Sequence, residues 1–225
     1  MRPEVGFAAA RLIERAGFQV VVPRQGCCGQ PNYNAGDREG ARKLARAAIA
    51  ALEPFDIIVV PSGSCGGMLA KHYPELFEAS DPWAQRAIAV AGRVQELTQF
   101  LAAHPLPETG KLPAGRVAYH DSCSSLREMR VHDEPRALLA AHTDAELCKL
   151  REAETCCGFG GLFCVKYPDI SAHMARDKCD AIVESGAEMV VSGDLGCLLN
   201  IEGTLDKRGS AIRVRHIAEV LAGDA

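Results

Sequence analysis

Apolar positions along this chain switch repeatedly between a helical period and short strand-like runs. Behind Pro3, the residues Val5, Ala8, Ala9, Leu12, Ile13 and Ala16 recur at helical spacing, and Gly17 stops them. A β-branched run over 18–22 predicts a buried strand. The Gly-, Pro- and Asn-rich loop over 23–36 holds Cys27, Cys28 and Gly29. A helix is predicted over 37–52 and a strand over 56–60, which runs into a loop carrying Cys65. More helix is expected from there to about Ala103. The stretch HPLPETGKLPAG, with three prolines and two glycines, reads as a linker over 105–115.

The same sequence of patterns then returns. A strand over 116–120 leads into Asp121, Ser122 and Cys123. Helix over 133–141 and strand over 145–150 precede Cys156, Cys157 and Gly158 in a Gly-rich loop. Helix over 171–185 ends at Gly186, strand over 188–192 follows, and Cys197 lies in the next loop. Helix resumes near Leu198, and a short strand or loop from Ile212 leads into helix over 217–221. The segments match piece by piece. ARKLARAAIAALEPFDIIVV parallels SAHMARDKCDAIVESGAEMVV, PSGSCGGML parallels VSGDLGCLL, and GRVQELTQFLA parallels IRVRHIAEVLA. A repeat of this length is too long for a solenoid unit. It predicts two related α/β units about a pseudo-twofold axis, over 1–104 and 116–225.

Composition narrows the function classes. The ten cysteines among 225 residues are about half the density of a disulfide scaffold. A chain of this length also buries enough surface to fold without staples. Net charge is only −4, with no long run of one sign, which excludes a basic nucleic-acid stripe. No apolar stretch approaches a membrane span, and the first residues lack a secretory apolar core. The expected compartment is the cytoplasm, where thiols stay reduced and clustered cysteines point to metal or redox chemistry.

The cysteines sort by position. Cys123, Cys156, Cys157 and Cys197 each fall after a predicted strand or in a Gly-rich loop. Strand carboxyl ends of parallel α/β units share one side, so these distant thiols can converge. Thiolates suit zinc or iron–sulfur clusters. The absence of a C-x-x-C ribbon pattern weakens zinc. Two adjacent cysteines can serve one site only if that site is large, and a four-iron cluster is larger than one zinc ion. In the first half Cys27, Cys28 and Cys65 hold matching places, but the partner of Cys123 is missing. The repeat therefore predicts a strand and a cysteine ahead of Met1, roughly 15–20 residues by the usual length of one strand and its loop. Cys148 and Cys179 read as packing residues and Cys164 as a bystander. His120 and Asp121, beside Cys123, are candidates for hydrogen bonds to a cluster sulfur or for loop capping. His216 matches Glu96 of the first half, which argues against a shared catalytic role. No dinucleotide or Walker fingerprint occurs.

The motifs YHDSC (119–123), CCGFGG (156–161), PSGSCGGML (61–69) and GDLGCLLNI (193–201) resemble the paired cysteine-rich CCG domains of heterodisulfide reductases and of glycolate- and glycerol-3-phosphate-oxidising iron–sulfur proteins. The chain is most similar to the lactate utilization protein A family over essentially its whole length. In that family a strand ending in cysteine precedes the counterpart of RPEVGFAA. The resemblance implies an α/β fold of two CCG domains, the first lacking its N-terminal strand. It implies an iron–sulfur electron-transfer subunit of a multi-subunit system oxidising L-lactate to pyruvate. It implies partner subunits of that system, with a small 2-hydroxy acid as the substrate at the level of the complex. The ligand set would be Cys123, Cys156, Cys157 and Cys197, holding a [4Fe-4S] cluster. Cys27, Cys28 and Cys65 would form a second, incomplete cluster or zinc site. The family's C-x-x-C step is replaced by Ser62 before Cys65 and by Asp194 before Cys197, so a fifth thiol is absent from both halves. A subunit of glycolate, glycerol-3-phosphate or disulfide-reducing systems is the nearest alternative. A zinc-stabilised interaction module without redox function is the alternative of another class.

Overall fold

A computed structural model of the chain describes residues 2–107 and 110–224. Helix α1 (Pro3–Arg15) begins with Pro3 in its first turn and buries Val5, Ala8, Ala9 and Leu12. A short α2 (Gln30–Asn34) precedes α3 (Arg38–Leu52), which Asp37 caps by accepting the Gly40 N–H at 2.9 Å. Its buried stripe is Ala41, Ala45, Ala48, Ile49 and Leu52, the spacing of one helix face. Strand β1 (Ile58–Val60) follows, then α4 (Gly63–Gly67), a π-helical turn over Met68–His72, α5 (Tyr73–Leu76) and α6 (Trp83–Ala91). Strand β2 (Val94–Glu96) and α7 (Leu97–Ala103) close the first half.

The second half holds β3 (Arg116–Tyr119), α8 (Cys123–Arg127), α9 (Asp133–His142), β4 (Glu146–Leu147), α10 (Phe163–Lys166), α11 (Pro168–Glu184), β5 (Met189–Ser192), α12 (Leu195–Lys207), β6 (Arg213–His216) and α13 (Ile217–Ala222). Its sheet has the order β4-β3-β5-β6, all parallel. The first half has only β1 and β2 among the described residues, also parallel. The registers of the two sheets agree, because Val60 faces Glu96 where Ser192 faces His216.

The two halves share a core. Leu12 of α1 and Phe100 and Leu101 of α7 pack with Val117, Met189, Val191 and Ile217. Helix α1 lies on α13, and α7 lies on α9. In the repeat α1 matches α9 and α7 matches α13, so these contacts are one contact made twice about a pseudo-twofold. Full burial of a side chain such as Leu12 contributes roughly 1.5–3 kcal/mol, so this seam is a large part of what holds the halves together.

Three expectations change. Residues 18–22 form no helix or strand and pair with no strand among the described residues, and Val22 is 79% exposed. The helix expected to run to Ala103 is interrupted by β2. Arg93 donates to the carbonyls of Glu53 and Phe55 and delivers the next residues to β1. The matched segment IRVRH already pointed to a strand there. The strand expected over 145–150 shrinks to Glu146–Leu147 at the sheet edge. Of the expected linker, Glu108 and Thr109 lie outside the described residues. Leu106 and Ala114 on either side are buried in the shared core.

Glu96 is a buried carboxylate of this seam with no basic side chain paired to it among the described residues. Its Oε2 accepts the Thr98 N–H at 2.6 Å and the Thr98 hydroxyl, capping α7. Burial pushes its carboxyl up to about 7, against 4.5 for an ordinary glutamate. A carboxyl raised in the folded state binds more protons folded than unfolded across that interval. Its stability contribution is therefore present below about pH 4.5 and lost as pH rises through about 7. Relative to Glu96→Gln, the wild type is expected to lose on the order of 3 kcal/mol between those limits and then level off. Urea denaturation of both proteins across that range checks this. A difference that does not vary with pH would refute it. The buried His120 and His216, common to both proteins, cancel in the comparison.

Candidate metal centre

Each of Cys123, Cys156, Cys157 and Cys197 is delivered by a strand end or by the loop that follows β4. Strand β3 runs into Asp121, whose buried carboxylate receives the Arg136 guanidinium in two bonds of 2.9 and 2.7 Å. That ion pair fixes the turn from which Cys123 starts α8, capped by Ser122 through the Ser125 N–H. Strand β5 runs into Asp194, the N-cap of α12, which places Cys197 in the first turn. Both thiols thus sit in the first turn of a helix that follows a strand.

Cys156 and Cys157 arrive on the long loop between β4 and α10. Gly158 has φ +85°, and a Cβ there would meet the Ser171 carbonyl oxygen at 2.6 Å, so only glycine fits. This backbone turns the Gly158 N–H onto the Cys156 sulfur at 3.3 Å. The first half repeats the device. Gly29 has φ +86° and donates to the Cys27 sulfur at 3.4 Å. The next carbonyl is also held in both halves, that of Cys157 by the Asn200 amide at 2.8 Å and that of Cys28 by the Tyr73 hydroxyl at 2.9 Å.

The four second-half thiols form one chain of neighbours. The Cys123 and Cys157 sulfurs both adjoin Cys156, and Cys157 also adjoins Cys197. Cys156 is the shared acceptor. The thiols of Cys123 and Cys157, and then the Gly158 N–H, hold it well below the usual thiol range. Cys123 and Cys157 are pushed up, first by Cys156 itself. One thiolate among several thiols is what a proton-sharing cluster gives when ligand charges crowd together. In the first half, Cys28 donates to Cys65 at 3.3 Å, and Cys27 is exposed.

His120 joins this group. One of its ring nitrogens and the sulfurs of Cys157 and Cys197 all lie within 4.8 Å of one another. The ring is fully buried, and neither nitrogen has a hydrogen-bond partner among the described residues. Burial, with Lys178 nearby, lowers its pKa to about 4, so at neutral pH it offers a free lone pair and one N–H. An orphaned buried imidazole beside convergent thiols fits a bound metal group, because such polar atoms are otherwise paired. Lys178 adds positive charge. Its buried ammonium donates to the carbonyls of Glu152 and Ala153 at 2.7 and 3.2 Å and feels both Cys156 and Cys157. A lysine in the Ala175–Ile182 stripe of α11 was the available signal for it in the sequence.

Asp194 links the two halves. Its Oδ1 accepts the N–H groups of Gly196 and Cys197 at 3.1 and 3.3 Å. Its Oδ2 accepts the Ser64 N–H at 2.9 Å and the Ser62 hydroxyl at 3.2 Å. These donors engage both oxygens, so the carboxylate serves the two cysteine loops as a tie. The Gly63 N–H also donates to the Gly193 carbonyl at 3.3 Å across the same seam. Helices α4 and α8, which carry Cys65 and Cys123, pack together there, and a Cβ on Gly63 would collide with Ser125.

The remaining cysteines stand apart. Cys179 is buried in α11 and donates to the Ile201 carbonyl at 3.6 Å. Cys164 donates to the Gly161 carbonyl at 3.1 Å, and Cys148 lies just past β4. All ten cysteines are unpaired thiols.

A family model described as a cysteine-rich domain (CCG) matches residues 1–70 and 117–202, the two stretches that hold these cysteines. The lactate utilization protein A of Oceanobacillus iheyensis is 41% identical over 220 residues, covering 97% of this chain and 90% of that protein. The chain belongs to the lactate utilization protein A family. Other members include the proteins of an Exiguobacterium species, 43% identical over 224 residues with 97% and 91% coverage, and of Geobacillus kaustophilus, 43% over 220 residues with 97% and 92% coverage. In this member of the family, both CCG glycines adopt the left-handed backbone that aims an N–H at the first sulfur of the pair.

Proposed function

We propose that this chain is an iron–sulfur electron-transfer subunit of a multi-subunit system oxidising L-lactate to pyruvate. The observation that supports this best is the convergence of Cys123, Cys156, Cys157 and Cys197 in a member of this family. Those four thiolates would hold the group. A bound [4Fe-4S] cluster supplies one-electron transfer. The chain's own residues prepare the place. Gly158 donates to Cys156, Lys178 offsets ligand charge, and His120 offers a neutral imidazole N–H to a sulfur. Such bonds and burial set a redox potential. The hydroxy-acid chemistry is assigned to a partner in that system. With ten unpaired thiols, a reducing compartment such as the cytoplasm suits the chain. Cys27, Cys28 and Cys65 would make a second, incomplete site.

The presence of His120 within reach of Cys157 and Cys197 favours one second reading, a zinc site of mixed sulfur and imidazole donors. Metal analysis separates the two. Anaerobically prepared protein is expected to be brown, with about four iron and four sulfide per chain. A strain deleted for the gene should regain growth on L-lactate when it is restored. Colourless protein with about one zinc per chain, and no iron uptake on reconstitution, would overturn the cluster assignment.

A further inference from the structure

The two halves hold their cysteines differently. Among the described residues, three metal-donor atoms come within 4.8 Å of one another at His120, Cys157 and Cys197 but not at Cys27, Cys28 and Cys65. Cys157 and Cys197 are also buried. The first half has instead a sulfur pair in direct contact, with the Cys28 and Cys65 Sγ atoms 3.3 Å apart. Both of these thiols are partly exposed, and the neighbouring Cys27 is exposed.

Two hydrogen bonds keep the pair together. The Tyr73 hydroxyl donates to the Cys28 carbonyl at 2.9 Å, and the Gln30 side-chain amide donates to the Ser64 carbonyl at 3.1 Å. The second of these joins the loop of Cys28 to the helix start that carries Cys65. Disulfide sulfurs lie about 2.05 Å apart, so the pair closes with a movement of roughly 1.3 Å. The local backbone can supply it. Cys28 ends a stretch, 18–28, that has no helix or strand. Cys65 lies in the short α4, which runs directly into the π-helical turn over Met68–His72. Single π-helical turns inside helices occur frequently at functional sites.

We propose that Cys28 and Cys65 form a reversible dithiol–disulfide pair, oxidised by low-molecular-weight disulfides of the thiol pool. One thiolate of the pair attacks a sulfur of the small disulfide, whose S–S bond breaks and releases a first small thiol. The other protein sulfur then attacks the mixed disulfide, forming the Cys28–Cys65 bond and releasing a second small thiol. The two cysteines lose two electrons and two protons, and the two small thiols carry them away. Excess small thiol reverses both steps. In a reducing compartment such a bond is transient, which suits a redox-sensing role. A closed pair has no thiolate to give a metal, so oxidation excludes metal binding by Cys28 and Cys65. None of this depends on which group the second-half thiols bind.

The test incubates the full-length protein with oxidised glutathione, with and without prior chelation. The protein is then alkylated, digested with trypsin and analysed by mass spectrometry. The expected product links peptide 25–38, which holds Cys27 and Cys28, to peptide 47–71, which holds Cys65. The intact monomer should be lighter by two hydrogens, and dithiothreitol should reverse the change. Cys27→Ser should keep the cross-link. Cys28→Ser should lower its yield at least about tenfold, because a disulfide forms only between sulfurs already placed to meet. Cys65→Ser should abolish it. If Cys65 of the wild type stays fully open to alkylation in both preparations, or carries only glutathione, the proposal fails. A cross-link that persists at full yield in Cys28→Ser, or that is lost in Cys27→Ser, overturns the pairing. So does a cross-link found only in dimers.

Discussion

Cys157→Ser is expected to reduce bound iron from about four to below one per chain, with loss of the visible chromophore and of growth on L-lactate. Cys157 is the buried centre of the thiol chain, next to both Cys156 and Cys197. A serine fits the same space and can keep the carbonyl bond to Asn200, so the loop should survive. Its hydroxyl is a hard, weakly acidic donor that a soft thiolate-loving metal does not accept in exchange. Cys164→Ser, in a thiol that only donates to the Gly161 carbonyl, serves as the control and should keep its metal. Iron and sulfide assays on both variants, beside circular dichroism, check the prediction. Full iron content in Cys157→Ser would show that the ligand assignment is wrong.

Asp194→Ala is expected to destabilise the protein by roughly 3–4 kcal/mol. The loss of an N-cap costs about 1 kcal/mol. Across the seam the Ser64 N–H would also lose its acceptor, at roughly 1–3 kcal/mol before relaxation, and the Ser62 hydroxyl its own, at about 1 kcal/mol. Because the carboxylate ties the loops of Cys65 and Cys197, the variant should also weaken metal retention. Asp194→Asn keeps an acceptor for one set of donors and is expected to recover part of the stability. Denaturant midpoints of the three proteins test this. An alanine variant within about 0.5 kcal/mol of wild type would mean that the tie contributes nothing.

Particular residues show how far sequence reasoning reaches. The helical stripes of α1 and α3, the strand before Cys197 and the paired CCG loops are legible, because local periodicity and glycine chemistry act within a few residues. Strand β2 is not, although its matching segment IRVRH carries strand character. Short strands are decided by a neighbour, and β2 exists because β1 lies beside it. Residues 18–22 fail in the opposite direction. They have strand composition but no adjacent strand to bond among the described residues. His120 is visible as a neighbour of Cys123, yet its approach to Cys157 and Cys197 depends on β3 lying next to β5. Lys178 and the double role of Asp194 escape a linear reading, since each joins segments far apart in the chain.

Residue spacing is enough to establish an α/β repeat with cysteines at matching places, four in one half against three in the other. Helix and strand periods translate such spacing directly into position. The three-dimensional arrangement alone settles that one buried carboxylate serves both cysteine loops and that a buried imidazole, without a hydrogen-bond partner among the described residues, faces the thiols. These depend on which distant segments share a buried seam. That choice is made by hydrophobic packing across the pseudo-twofold and by pairing of parallel strands, neither of which leaves a local mark on the chain.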